Sequence, residues 1–280
     1  MIEGGKTAVQ AEGEVVSKAE LKALRKRGSI NWNGSLATTP ACADTTHSGL
    51  VIAVGDVHGD WDALNRVLEH YKPDTALVAG DMGFFPLLGM DPRSEVRTTL
   101  SSGKKVEVRF CDGNHEDHNS LAKVAGDYRH SPCEIAENLI YQPRGSSATL
   151  PDGRTALFVG GAKSVDRAAR VYGVTWFPQE VLHKEDLPEE LVSADVVVSH
   201  TAPRSLGLQT KLGLKTIPSW WDVSPDPSEL VLDEILAFTA PHIWVCGHWH
   251  APYSTRINNT MLHVLDCLRG QSCENSVVFV

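Results

Sequence analysis

Short apolar runs recur along the chain from Gly49 onward, and most of them end in Gly, Asp, Asn or His. Each run is rich in β-branched residues, a pattern typical of strands that are buried on both faces of a sheet. The strongest runs are LVIAV at 50–54, TALVA at 75–79, VEVRF at 106–110, DVVVS at 195–199 and HIWVC at 242–246. These runs predict the central strands of an α/β fold.

The segment between the first two runs, residues 61–71, has the apolar spacing of an amphipathic helix. The positions that give this spacing are Trp61, Leu64, Val67, Leu68 and Tyr71. A strand, a helix and a second strand in this order predict a βαβ unit. Later apolar runs at 155–161, 260–266 and 276–280 predict further strands without intervening helices. We therefore expect a central pair of sheets with helices on the outside.

Residues 1–48 differ from the rest of the chain and predict a separate N-terminal arm. They contain a short charged stretch, SKAELKALRKRG, followed by a polar run without clear periodicity. We interpret the charged stretch as a short surface helix, whose basic side chains either face solvent or contact a phosphate-bearing partner. The predicted boundaries are 1–48 for the arm and 49–280 for the main domain.

The composition is that of a globular protein outside the membrane. Of the 280 residues, 42% are apolar and 22% are charged, and no apolar stretch approaches the ~18 residues of a membrane span. The chain begins without the basic and apolar regions of a secretory signal, so we expect a cytoplasmic protein with six reduced cysteines. The formal net charge of −9 disfavours long duplex nucleic acid as a partner.

Potential metal ligands follow nearly every strong apolar run. The polar residues at these positions are Asp56 and His58, Asp81, Asn114 with His115, His200, and His248 with His250. Because ligands of α/β sheets bind beyond the carboxyl ends of the strands, residues this remote in sequence can meet at one place. If the first strand continues, Asp56 and His58 project to the same side, and the last pair repeats this spacing. Carboxylate, imidazole and amide donors suit Mn²⁺, Fe or Zn²⁺ better than a metal selected by thiolates.

This ensemble resembles the calcineurin-like metallophosphoesterases, whose ordered signature is DxH, GD, GNH followed by Glu or Asp, then H, then GHxH. All five blocks occur in this order within residues 50–266. The resemblance implies a four-layer α/β/β/α sandwich of two mixed sheets flanked by helices, with the phosphoesterase domain at 49–280. It also implies two divalent metal ions, with Mn²⁺ as the first expectation and Fe, Zn²⁺ and Ni²⁺ as alternatives.

The resemblance also implies a role for each residue of the five blocks. The implied ligands are Asp56, His58 and His250 for the first metal ion, and Asn114, His200 and His248 for the second. Asp81 would bridge the two ions, and His115 would be the general acid or a transition-state stabiliser near the leaving oxygen. Two ions that share a bound water can lower its pKa towards neutrality and hold both the attacking and the leaving oxygen of an in-line displacement.

Related enzyme classes fit the sequence less well. Serine/threonine phosphoprotein phosphatases continue GDxVDRG, whereas this chain reads GDMGF from Gly80 and lacks the arginine. His115 and His118 do not have the HExxH spacing, HxHxDH is absent, and no GxSxG occurs. A non-catalytic scaffold that binds a protein partner is the alternative from another class. We would expect such a relative to have lost ligands or His115, and this chain retains them.

Residues 160–180 resemble a segment of bacterial and phage-type members of the family. Arg167 and Arg170 could hold a non-bridging phosphate oxygen, and Trp176 could stack on a base. A surface helix with a packed tryptophan is the alternative interpretation of the same residues.

The stretch from 203 to 227 is rich in Gly, Ser and Pro and carries Trp220 and Trp221. Long irregular loops in compact domains are usually functional or disordered, so we expect a flap over the cleft, or else a seal at the edge of the core. The expected partner is a small phosphoester, preferably a phosphodiester of nucleotide size, with phosphomonoesters as the alternative. A homo-oligomer is compatible with this interpretation.

Overall fold

The apolar runs form strands of two mixed six-stranded sheets. The computed structural model describes residues 49–126, 129–212, 218, 220–269 and 273–280. The strands are β1 (Val51–Val54), β2 (Thr75–Val78), β3 (Glu107–Phe110), β4 (Cys133–Ala136), β5 (Leu139–Tyr141), β6 (Ser147–Thr149), β7 (Thr155–Val159), β8 (Val196–Ser199), β9 (Ile243–Cys246), β10 (Tyr253–Ile257), β11 (Thr260–Val264) and β12 (Val277–Phe279). The first sheet has the order β12-β1-β2-β3-β5-β4, and the second has the order β10-β11-β9-β8-β7-β6.

The α-helices of the described residues are α1 (Trp61–Tyr71), α2 (Pro92–Glu95), α3 (His118–Ala125), α4 (Leu208–Lys211) and α5 (Pro227–Thr239). Helix α1 coincides with the predicted helix. It begins where the Asp60 side chain accepts the Ala63 N–H, and it ends at Lys72 in the left-handed conformation. The predicted N-terminal helix lies within residues 1–48, outside the described part of the chain.

The central strands run parallel, so their carboxyl ends lie at one edge of each sheet. In the first sheet, Val54 pairs with Val78, and Val78 pairs with Phe110. In the second sheet, β7, β8 and β9 are parallel neighbours in the same way. The polar residues that follow these strands are therefore presented together.

Alternation along β1 shows how the layers are packed. Ile52 and Val54 face outward and join Leu64 and Leu68 of α1 in one buried cluster. Their neighbours Val51 and Ala53 face the second sheet and lie in a separate cluster with residues of β7, β8 and β9. A third cluster joins the outer face of the second sheet to α5. These clusters occupy the spaces between four layers, which confirms the predicted α/β/β/α sandwich.

Some short strands were not predicted from the sequence. Strands β4, β6 and β10 lie at sheet edges and are partly exposed, so they lack the continuous apolar runs of the central strands. The five cysteines in the described part of the chain are free thiols. Within those residues, no helix has the length and apolar character that a membrane span requires.

Candidate metal centre

The polar residues predicted as metal ligands converge at the carboxyl ends of five strands. Asp56, Asp81 and Asn114 follow β1, β2 and β3 of the first sheet. The histidines follow β8 and β9 of the second sheet, so both sheets contribute donor atoms. Three overlapping groups of Asp and His side chains have donor atoms within 4.8 Å of one another, and these groups are fit to hold a metal ion.

Tight turns, and not continued strands, direct these side chains. Strand β1 ends at Val54 and β9 ends at Cys246, before the paired ligands of each block. The strands therefore do not continue through these pairs, and the condition under which each pair would project to one side of a strand is not met. The residues with left-handed backbone are His58 (φ +50°), Asp81 (+48°), His248 (+66°) and His250 (+46°). These conformations are uncommon for residues other than glycine, and they turn the side chains into the centre.

Two glycines allow the strand ends to approach each other closely. A Cβ atom at Gly247 would overlap Oδ1 of Asp56. A Cβ atom at Gly80 would overlap the His200 ring, and the φ of +94° at Gly80 also favours glycine. A side chain at either position would push the two sheets apart at the centre.

The first group of donors surrounds Nε2 of His58. This atom lies 2.9 Å from Nε2 of His250, 3.7 Å from Oδ2 of Asp56 and 3.5 Å from Oδ2 of Asp81. His250 Nε2 is in turn 2.9 Å from Asp56 Oδ2. Two imidazole nitrogens and two carboxylates thus face a common point.

The second group surrounds Oδ1 of Asn114. Nε2 of His200 and Nδ1 of His248 each lie 2.9 Å from this oxygen, and His200 Nε2 lies 3.4 Å from Oδ1 of Asp81. The other ring nitrogen of His200 contacts the carbonyl oxygen of Ala79 at 2.8 Å, which fixes the ring. Asp81 is shared, since Oδ2 faces the first group and Oδ1 faces the second.

The buried charges shift the pKa values of the centre strongly. Burial lowers the pKa of His200, but the carboxylates of Asp81 and Asp56 outweigh burial and raise it to about 9. His250 likewise reaches a pKa of about 10, because its bond to Asp56 overcomes burial. Burial and the neighbouring His200 lower the pKa of His248 to about 3. The histidine charges hold the pKa of Asp81 well below its usual range despite burial.

His115 lies beside both groups and against Arg170. Its backbone N–H donates to Asp81 Oδ1 at 2.7 Å, and its ring makes an edge contact with the His58 ring at 4.9 Å. Nη2 of Arg170 contacts both ring nitrogens, and Nη1 donates to the Asn114 carbonyl oxygen at 2.9 Å. Burial lowers the pKa of His115 to about 4, and the Arg170 charge adds to this effect while Asp81 opposes it.

Ser164 and Glu180 hold the side chain of Asn114, a contact that was not predicted from the sequence. The Ser164 hydroxyl accepts from Asn114 Nδ2 at 3.1 Å and donates to Glu180 Oε2 at 2.6 Å. The Ser164 N–H donates to Glu180 Oε1 at 2.7 Å, and both residues are buried. With its amide nitrogen bonded in this way, Asn114 presents its oxygen to His200 and His248. The sequence feature that could have pointed to this contact is the segment 160–180, which resembles a segment of bacterial and phage-type members of the family.

Glu116 holds the turn that carries Asp81. Its buried carboxylate accepts the backbone N–H groups of Met82 and Phe84, each at 2.6 Å. Burial and the nearby Asp81 raise the pKa of Glu116 well above its usual range. The residue after His115 thus fixes the backbone after β2, and this role was not apparent from the motif.

Comparison with known families agrees with this arrangement. The sequence profile of the calcineurin-like phosphoesterases matches residues 49–252. The chain belongs to the calcineurin-like phosphoesterase family. The predicted resemblance is thereby confirmed. No curated protein sequence matches the chain significantly.

Solved structures similar to this calcineurin-like phosphoesterase come from several organisms. TT1561 of Thermus thermophilus is 9% identical, with a TM-score of 0.41 over 79% of this chain and 90% of that chain. A predicted phosphoesterase of Streptococcus pneumoniae is 14% identical, with a TM-score of 0.31 over 82% of this chain and 80% of that one. GAP50, described as the anchor in the inner membrane complex of Plasmodium, is 9% identical, with a TM-score of 0.39. The match covers 77% of this chain and 70% of that chain.

The donor set of this calcineurin-like phosphoesterase fits a pair of divalent cations. The ring nitrogens of His58 and His250 lie 2.9 Å apart, and the His250 nitrogen lies 2.9 Å from Asp56, so three donor groups converge on one point. The two histidine nitrogens around Asn114 Oδ1 form a second point of convergence. Oxygen and imidazole donors without thiolate are the chemistry that Mn²⁺, Fe and Zn²⁺ accept. Cations would compete with the protons on His200 and His250, because a ligating histidine must be neutral.

A cavity of about 790 Å³ opens beside the centre of this phosphoesterase. His58, Asp81, Asn114, His115, His248 and His250 form its inner end. Of the predicted substrate contacts, Trp221 lines this cavity, and Arg170 reaches the centre through His115. The other three do not line it: Arg167 lies 4.1 Å over the Trp176 ring, and Trp220 is exposed.

Proposed function

We propose that this calcineurin-like phosphoesterase hydrolyses phosphodiesters of nucleotide size. The observation that supports the proposal is the pair of donor groups that share Asp81 at the inner end of the cavity. Two divalent ions bound there would offset the charge of the phosphate and lower the pKa of a water molecule. Mn²⁺ is the first expectation because the donors combine carboxylate, amide and imidazole groups.

The interatomic distances assign the proposed ligands to two ions. The residues that would hold the first ion are Asp56, His58 and His250, and those that would hold the second are Asn114, His200 and His248. Asp81 would contact both ions, and its two oxygens already face the two groups. Ser164 and Glu116 act on this centre indirectly, by orienting Asn114 and the Asp81 turn.

His115 is proposed to hydrogen-bond an oxygen of the phosphate group. A pKa lowered to about 4 by burial leaves the ring neutral near pH 7, and a neutral imidazole donates one hydrogen bond. This favours transition-state stabilisation over proton donation by a charged ring. A bound phosphate anion would raise the pKa of His115, and general-acid catalysis then becomes available.

The size and charge of the site favour a diester. The cavity of about 790 Å³ lies within the range of about 300–1,000 Å³ typical of small-molecule sites. A phosphomonoester carries a second negative charge, and the guanidinium of Arg170 is already bonded to Asp166 and to the Asn114 carbonyl oxygen. This cation is therefore less available to a dianionic phosphate.

Metal analysis combined with a substrate screen tests the proposal. The full chain would be reconstituted with Mn²⁺, Fe, Zn²⁺ or Ni²⁺ and assayed with bis(p-nitrophenyl) phosphate, p-nitrophenyl phosphate and cyclic nucleotides. We expect about two ions per chain and faster hydrolysis of diesters than of monoesters. A chain that binds the ions but hydrolyses no phosphoester would instead support a non-catalytic scaffold. Faster hydrolysis of the monoester would refute the preference for diesters.

A further inference from the structure

The cleft that leads away from the metal centre has more acidic than basic side chains. Among the described residues that line it beyond the centre, the acidic groups are Asp166, Asp222, Asp226 and Glu229, and the basic groups are Lys163 and Arg204. Asp166 pairs with Arg170, and Asp222 pairs with Lys163. Asp226 and Glu229 therefore face Arg204 alone, and this remaining imbalance opposes a second negative charge on a substrate in the cleft.

Lys163 does not offset this imbalance for a ligand, because its ammonium group is already bonded. Nζ donates to the carbonyl oxygen and the hydroxyl of Ser224 at 2.6 and 2.7 Å, and it lies 3.1 Å from Asp222 Oδ1. Its donors are thus engaged by the loop that forms one wall of the cleft. A substrate phosphate would have to displace this loop contact in order to pair with Lys163.

Glu229 is the carboxyl group that projects from α5 into the cleft. Burial and the neighbouring Asp226 raise its pKa to about 7, although Arg204 opposes the shift. Asp226 itself accepts the backbone N–H groups of Lys163 and Ser228. The shift at Glu229 indicates that this part of the cleft disfavours additional negative charge.

Apolar and aromatic side chains also line the cleft. They are Trp221, Trp249, Val165, Leu208 and Val223. Flat apolar surfaces of this kind bind an uncharged ring system by burial and stacking. The cleft therefore combines apolar and aromatic surface with unpaired acidic groups.

We propose that the cleft selects a phosphodiester whose organic group is uncharged and nucleoside-sized, and that it discriminates against substrates with a second phosphate. This inference rests on the proposed function for the position of the reacting phosphate. The charge of the cleft, and not contact with the metal ions, makes the distinction.

A matched pair of nucleotides tests the inference without turnover. Binding of thymidine 5′-monophosphate and of thymidine 3′,5′-bisphosphate to the Mn²⁺-loaded chain would be measured by calorimetry at low ionic strength. At about pH 8 the Glu229 carboxyl is mainly ionised, and we expect the bisphosphate to bind about tenfold more weakly. Added salt should reduce this difference.

Three single substitutions assign the effect to the cleft. Glu229→Gln should reduce the difference in affinity between the two nucleotides to about threefold, and Arg204→Gln should increase this difference. Glu234→Gln is the control, because Glu234 lies on the same helix and pairs with exposed Lys184 outside the cleft. The control should behave as the wild type.

The outcomes separate this inference from the proposed function. Equal or tighter binding of the bisphosphate, binding of neither nucleotide, or equal effects of Glu229→Gln and Glu234→Gln would overturn the charge selection. If the metal-loaded chain hydrolyses no phosphoester, the proposed function fails, and the binding comparison still decides whether the cleft selects by charge.

Discussion

Four residues of the metal centre have backbone conformations that L-amino acids rarely adopt. The left-handed φ values at His58, Asp81, His248 and His250 each cost on the order of 1–3 kcal/mol unless neighbouring contacts hold them. Such contacts are present: the His58 N–H donates to the Asp81 carbonyl oxygen, and the His248 N–H donates to the Asp56 carboxylate. Strain concentrated in this way is typical of functional sites, and here it directs donor atoms inward.

Replacement of His115 by alanine should separate catalysis from metal binding. If the ring contacts the phosphate group, His115→Ala should lower kcat for a diester roughly 100-fold and leave metal content near that of the wild type. Elemental analysis and steady-state kinetics on the same preparation measure both effects. Loss of one ion would instead make His115 a ligand, since its ring lies within reach of Asp81 and His58. His242→Ala, at an exposed histidine, is the control.

His118 should make the fold sensitive to acid. Burial lowers its pKa to about 4 from the ordinary 6.5, and Arg144 adds to the shift while Asp112 opposes it. Between these pH values the unfolded chain binds a proton that the folded chain does not, so stability falls as the pH falls through this range. The loss amounts to about 3 kcal/mol at most, since one pKa unit corresponds to about 1.4 kcal/mol.

His118→Asn removes this contribution, so its free energy of unfolding should fall less steeply than that of the wild type between about pH 6.5 and pH 4. Urea unfolding in the presence of a chelator measures the two slopes, because the other histidines contribute equally to both proteins. Parallel slopes would show that the pKa of His118 is not lowered in the folded state. His242→Asn, an exposed substitution, should leave the slope unchanged.

Which residues converge at the candidate centre could be predicted from the sequence, but the local geometry of these residues could not. The motif spacing predicted Asp56, Asp81 and Asn114 as ligands, because each follows an apolar run that is typical of a strand. The left-handed turns were missed, because Asp and His tolerate this conformation without revealing it in the pattern. Ser164 and Glu180 were missed for a related reason: buried hydrogen-bond partners have no periodicity of their own.

At the scale of elements, the segment 160–180 supports the turn that follows β3. Ser164, itself held by Glu180, accepts from the Asn114 side chain, and Arg170 donates to the Asn114 carbonyl oxygen. The predicted roles of Arg167 and Trp176 as substrate contacts find no support in the cavity lining, since these two side chains stack on each other. The central strands were predictable because burial on both faces leaves continuous apolar runs, whereas the partly exposed edge strands β4 and β10 leave none.

Ser164→Ala should therefore weaken metal binding although Ser164 is not a proposed ligand. Without the hydroxyl, the Asn114 amide loses its fixed orientation, and such indirect contacts typically change metal affinity by about 10-fold to 100-fold. Calorimetric titration with Mn²⁺ measures the change, and circular dichroism confirms that the variant is folded. Ser164→Thr, which retains the hydroxyl, should recover part of the affinity. Unchanged affinity in Ser164→Ala would contradict the positioning role.

At the scale of the molecule, both sheets contribute donor groups to the candidate metal centre. The proposed ligands Asp56, Asp81 and Asn114 belong to the first sheet, and the histidines after β8 and β9 belong to the second. Ions that bind the folded chain only must stabilise it by mass action, by about 2.7 kcal/mol for each ion at a concentration 100-fold above its Kd. For a protein of this size that stabilisation corresponds to a rise in Tm of roughly 5–10 °C.

Asp81→Asn should reduce the stabilisation by bound ions. The reduction should be larger than that caused by replacing a ligand that contacts only one ion. Because the two oxygens of Asp81 face the two donor groups, removal of its charge weakens attraction for both ions at once. We expect the chelated variant to fold, and its Tm to rise much less than that of the wild type when Mn²⁺ is added. Glu137→Gln, which changes an exposed pair with Lys105, should retain the full rise. An unchanged rise in Asp81→Asn, with two ions still bound tightly, would show that Asp81 does not hold the ions together and that the sheets are joined by other ligands.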